Sequence, residues 1–162
     1  MRIFLIACVL FISQYAGAQA YKDSIRNQFM IYNDLLLKKE FAASLDYVNP
    51  GILTVAPKEQ LIEMMEQTFN NPAVEIKLSK PEMKSIEDSQ RIDNMTYSTF
   101  QYAGSLSMRL VSEEGKAQDT SITKAALANQ FGQENVKYDA STGFFHVKVI
   151  KKVIANSSDA KN

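Results

Sequence analysis

In 162 residues the chain has a single cysteine, a single histidine and no tryptophan, and its 18 basic side chains are matched by 18 acidic ones. Each scarcity removes a kind of chemistry. Cys8 lies inside an apolar N-terminal run, so the remainder has no disulfide, no thiol nucleophile and no thiolate metal ligand. With His146 as the sole imidazole there is no ordinary zinc set, and the acidic residues do not follow EF-hand spacing. Balanced charge provides no field to draw nucleic acid or an anionic membrane. Neither a G-x-G-x-x-G turn, a Walker loop nor a G-x-S-x-G elbow occurs. Metal, cofactor and nucleic-acid partner are therefore all expected to be absent.

What is present begins with an address. Arg2, the apolar stretch from Ile3 to Ile12 and the small residues Ala16-Gly17-Ala18 follow the layout of a secretory signal peptide. The apolar stretch is shorter than the roughly 20 residues that span a bilayer. Cleavage after Ala18 leaves Gln19 first, and cleavage after Ala20 leaves Tyr21; Ala16 and Ala18 at the small-residue positions favour the former. Two other readings use the same residues. Leu5-Ile6-Ala7-Cys8 is a lipobox if enough chain precedes it, which here it does not, and the apolar run is an anchor if it stays uncleaved. Residues 1–18 are thus expected to be a signal peptide and residues 19–162 one exported domain, periplasmic or secreted, with no stable membrane insertion after processing. A domain of about 140 residues buries roughly two-thirds of its unfolded surface, enough to fold without covalent staples.

Periodicity then sorts the chain. Ile25, Phe29, Tyr32 and Leu36 share one helix face, with Ser24 or Asp23 as the expected cap. Phe41, Leu45 and Val48 predict a separate short helix that Asn49-Pro50-Gly51 stops, and Ile52 to Val55 reads as a link. Pro57 opens a helix with Leu61, Met64, Met65 and Phe69 as its buried stripe. Beyond Asn70-Asn71-Pro72 the period changes to two, and Val74, Ile76 and Leu78 alternate with polar residues as a strand. A turn at Pro81, a strand from Met83 to Ile92 and a long strand from Asn94 to Ser112 follow, with Gly104 as a bulge or bend. Glu113-Glu114-Gly115-Lys116 predicts a loop, Ser121 the cap of a helix through Phe131, and Asp139 to Gly143 a turn between two final strands. Asn94-Met95-Thr96 and Asn156-Ser157-Ser158 match the glycosylation pattern, which matters only in a host with that machinery.

Helices followed by antiparallel strands predict an α+β fold, N-terminal helices packed on a curved antiparallel sheet. The segments Phe41-Ala-Ala-Ser-Leu-Asp-Tyr-Val-Asn-Pro50 and Pro57-Lys-Glu-Gln-Leu-Ile-Glu-Met-Met65 resemble the second helix, connector and third helix of the NTF2-like, or cystatin-like, family. The resemblance implies a cone-like half-barrel with a pocket between helices and sheet, often dimerising through the sheet. It covers enzymes of steroid-isomerase and dehydratase type as well as non-catalytic binders, so it does not choose between them. Two features depart from the pattern: a helix after Ser112, and a final strand without tryptophan.

Candidate chemistry is sparse. Asp46 would serve as a pocket base with Tyr97 or Tyr102 donating to an oxyanion, and His146 is the other weak catalytic candidate, with no acidic partner at a helpful spacing. Arg109 would hold an anionic group, although a surface ion pair explains it better. Met65, Phe69, Tyr97, Tyr102 and Met108 complete the expected pocket lining, where methionine adapts its shape and tyrosine adds a polar rim; the same residues equally suit a solid core. Both alternating series of the last strand contain apolar members, which predicts cover on both sides for part of its length. The expectation is a non-catalytic exported domain for a small apolar ligand or an envelope protein. The alternatives are a small lyase or isomerase using a pocket carboxylate, and a structural or inhibitory module.

Overall fold

The computed structural model describes residues 2–111 and 120–158, with residues 2–19 described by their backbone alone. A long helix α1 (Arg2–Leu37) leads into a short α2 (Phe41–Ser44), a 3-10 turn (Leu45–Tyr47), α3 (Pro50–Val55) and α4 (Lys58–Phe69). Strands β1 (Val74–Leu78), β2 (Glu82–Ile86), β3 (Gln90–Ile92) and β4 (Met95–Leu110) follow, then α5 (Thr120–Phe131), β5 (Val136–Asp139) and β6 (Phe144–Ser157). The expected α+β architecture, helices on a curved and open antiparallel sheet, is the one observed.

Strand β4 organises the sheet. Along one edge it takes β1 near its C-terminal end, β2 at its middle and β3 at its start. Its other edge pairs β6 one residue for one from Thr96↔Ser157 to Met108↔Phe145, and β5 closes on the first residues of β6. Opposed residues share a face, so the register assigns each side chain to a side. Phe100, Tyr102, Leu106 and Met108 of β4 join Ile76, Leu78, Val136, Phe145, Val147 and Val149 on the face that carries the helices. Tyr97, Gln101, Ser107 and Arg109 turn to the outer face with Glu75, Lys77, Lys137 and His146.

Two helices cover the inner face. The stripe of α1 sets Phe29 against Phe100 and Tyr102, ring centroids 5.0 and 4.8 Å apart. Leu127 of α5 packs with Val136, Phe145 and Val147 in the tightest part of the core, where Phe145 is 1% and Val147 0% exposed. Full burial of side chains this size contributes about 1.5–3 kcal/mol each. The helices α2 and α4 form a smaller layer in which Phe41 meets Phe69 at 5.4 Å.

The structure corrects several local expectations. Helix α1 runs uninterrupted through Asp23 and Ser24, because no proline breaks the Ala-rich stretch before them. Asp23 there pairs with Arg26, and the Ser24 hydroxyl accepts from Gln28. Asn49-Pro50-Gly51 starts a helix as well as ending one. The Asn49 side chain accepts the Gly51 N–H at 2.7 Å, Pro50 takes the first turn, and Ile52 to Val55 is helical rather than a link. In α4, Leu61, Met65 and Phe69 are half-buried whereas Met64 is exposed, so the stripe is narrower than expected.

Between Met83 and Ile92 there are two strands, not one, because Glu87-Asp88-Ser89 is held as a loop against α1. The Tyr21 hydroxyl donates to the Glu87 carbonyl and accepts from the Ser89 N–H, both at 3.2 Å, and Lys22 pairs with Asp88. Gly104 makes no bulge, since pairing with β6 is regular through Gly104↔Val149; the irregularity lies in β2, between Met83 and Ser85. Thr120 already belongs to α5, which places Ser121 inside the helix, and the loop expected at Glu113 to Lys116 lies outside the described residues.

Candidate functional site: a cleft between the long helix and the sheet

The helical repeat brings Phe29, Tyr32, Asn33, Leu36 and Leu37 of α1 over the end of β1 and the middle of β4, and a cleft of about 180 Å³ remains between them. Leu78, Ser79 and Pro81 form one wall; Tyr102, Gly104, Leu106 and Val149 come from the sheet. Gly104 explains the depth. It sits on the inner face between Tyr102 and Leu106, and a strand residue without a side chain leaves room beneath the helix. Drug-sized ligands occupy pockets of roughly 300–1,000 Å³, whereas an apolar cavity on the order of 150 Å³ holds a benzene-sized molecule. The cleft suits the smaller kind.

Its polar groups are few and neutral. Asn33 Nδ2 donates to the Phe29 carbonyl at 2.7 Å, and the Ser79 hydroxyl accepts the Ser105 N–H at 2.7 Å. Burial raises the Tyr32 phenol above its ordinary value, with the neighbouring Tyr102 adding to the shift, and burial alone raises Tyr102. Both therefore stay protonated near neutrality and can each donate one hydrogen bond. Among the described residues none hydrogen-bonds either hydroxyl and no buried polar side-chain atom lacks a partner, so both oxygens meet solvent. No Asp, Glu, His, Lys or Arg among the described residues lines the cleft.

Of the side chains expected to form a pocket, only Tyr102 lines this one. Met65 and Phe69 belong to the α4 layer, and Met108 packs on the α5 side of the core. Tyr97 and Arg109 are on the outer face. Arg109 there pairs with Glu75 and lies 4.8 Å from the Phe144 ring, which Lys77 also approaches at 4.5 Å. Lys77 first, and Arg109 second, hold the Glu75 carboxyl below its usual range. This is a surface ion-pair cluster on an aromatic ring.

The two catalytic candidates also lie away from the cleft. Asp46 is exposed and paired with Lys58. His146 is exposed on the outer face, its Nδ1 2.9 Å from the Ser107 hydroxyl. Among the described residues no group of three or more His, Cys, Asp or Glu could hold a metal ion, and no helix is long and apolar enough to cross a membrane. Phe29, Tyr32 and Leu36 were legible as a helix face but not as a pocket wall. Gly104 was the available signal for the space below them. Compared with known protein families, curated proteins and solved structures, the chain matches none.

Proposed function

We propose that the chain is an exported, NTF2-like binding domain that holds the apolar part of a small ligand between α1 and the sheet. One observation carries the reading: the cleft is walled mainly by aliphatic and aromatic side chains, and the polar groups described along it are neutral, the phenols of Tyr32 and Tyr102 with Asn33, Ser79 and Ser105. Such a lining rewards burial of an apolar group and orients one polar end without demanding charge. The lyase or isomerase alternative has, among the described residues, no carboxylate or imidazole along these walls to move a proton in a bound molecule.

The test is native mass spectrometry of protein recovered from its own host, joined to an NMR titration with indole as a small apolar probe. The reading expects a stoichiometric retained molecule, and indole-induced shifts confined to Phe29, Tyr32, Tyr102, Val149 and their neighbours. No retained molecule together with no shift at those residues would overturn it.

A further inference from the structure

Strand β6 pairs with β4 along nearly its full length, but β5 covers its other edge only from Phe144 to Val147. From Lys148 to Asn156 no described strand lies on that edge, and the 3-10 turn Gln133–Asn135 stands beside its beginning. An uncovered edge displays a row of backbone donors and acceptors that another extended chain can complete. The stretch contains neither proline nor glycine, and its exposed side chains include Ile150 at 60% and Ile154 at 68%.

Charge says what kind of chain fits. Lys148, Lys151 and Lys152 lie on this stretch, which has no acidic residue. Beside it on the outer face, Lys137 stands opposite His146. The opposite side of the sheet is compensated, with Glu75 on Lys77, Glu82 on Lys84 and Asp88 on Lys22. Lys152 reaches Glu87, but among the described residues neither Lys137 nor Lys148 has an ion pair. We propose that the free edge of β6 accepts an acidic, extended segment of a partner protein as an added strand. Backbone pairing supplies the register, carboxylates meet the lysines, and apolar side chains flank Ile150 and Ile154. The same lysines oppose pairing with a second copy, which brings like charge to the same edge, so one feature both attracts the partner and limits self-association. This surface does not depend on the cleft.

The probe is a capped ten-residue peptide with Glu at the positions facing Lys148, Lys151 and Lys152 and Val at those facing Ile150 and Ile154, compared with its Lys-for-Glu counterpart by amide hydrogen exchange and NMR shifts. The acidic peptide should slow exchange at alternate amides from 148 to 156 by on the order of tenfold, and raising the salt should weaken the effect. Lys148→Glu combined with Lys151→Glu should abolish binding of the acidic peptide and confer binding of the basic one. Lys148→Gln, which adds no new charge, should weaken the acidic peptide without gaining the other. Equal binding of the two peptides to the unaltered protein, or shifts lying away from β6, would overturn the proposal. So would sedimentation showing a dimer that protects these amides with no peptide present.

Discussion

Gly104 stands directly opposite Val149 where β4 and β6 run side by side, and the missing side chain on the β4 side gives the cleft its depth. A Cβ added there meets Pro81 Cβ at 3.7 Å and Ser79 Oγ at 3.8 Å, ordinary contact distances. Gly104→Ala is therefore expected to fold normally and to keep a narrowed cleft. Gly104→Leu should fill it. Indole affinity should fall by on the order of tenfold, while overpacking lowers stability by about 1–3 kcal/mol. Parallel thermal melts and probe titrations separate the two effects, and undiminished binding in the leucine variant would move the site elsewhere.

Among the described residues Phe145 is the largest fully buried side chain, and it touches both α5 and Tyr138, whose ring centre is 4.7 Å away. Phe145→Ala should lower unfolding free energy by about 3–5 kcal/mol through lost burial and an unfilled cavity. Urea denaturation reads this directly. A loss below about 1 kcal/mol would mean that the inner face is less tightly packed than described.

Asp139 anchors the turn between β5 and β6. One carboxylate oxygen accepts the Ser141 N–H and hydroxyl at 2.9 and 2.6 Å, and the other accepts the Thr142 hydroxyl at 2.8 Å. The Ser141 hydroxyl foremost, then Thr142, holds the carboxyl down to about 2, from an ordinary 3.8. A folded value below the unfolded one makes this contribution complete above 3.8 and withdraws it as pH falls toward 2. The expected result is protection of the Ser141 amide, its exchange referred to the intrinsic rate at each pH, that falls on acidification across this window, and Asp139→Asn should remove most of that change in protection. Identical pH profiles for both proteins would show that the carboxylate does not hold the turn.

Gly132 follows α5 with a φ of 90°, a backbone conformation that a side chain resists. Gly132→Ala should cost about 1–3 kcal/mol. The added Cβ also comes 2.6 Å from a Glu134 carboxylate oxygen, but that group ends a flexible chain and can swing aside. Glu134→Ala in the same protein should therefore recover little of the loss. Full recovery in a thermal melt would assign the cost to contact instead of backbone strain.

The parts of the fold readable from sequence were those set by local periodicity. Ile25, Phe29, Tyr32 and Leu36 do form one face of α1, and Val74, Ile76 and Leu78 do share the inner side of β1. Long-range contacts decided the rest. Tyr21 and Lys22 hold the loop that divides β2 from β3, across a span of chain that no local window includes. The candidate site was less legible than the fold. Strand alternation alone separates Tyr102 and Met108 from Tyr97 and Arg109, so the four cannot line one pocket. What alternation cannot supply is which stretch of the inner face α1 reaches, and that divides Tyr102, under Phe29, from Met108, packed on the α5 side. Gly104 is visible as an exception within a strand, but its meaning depends on the helix above it.

Because β1, β2 and β3 all precede β4 in the chain while β6 follows the intervening α5, the two flanks of β4 assemble on different terms. The upstream flank grows by successive short closures beginning at the tight β3–β4 reversal, which sacrifice little chain entropy. Docking β6 requires a much wider closure, and until it happens the far side of β4 has no strand of its own. Refolding followed by amide protection is accordingly expected to show β6 protected no earlier than β1, β2 and β3.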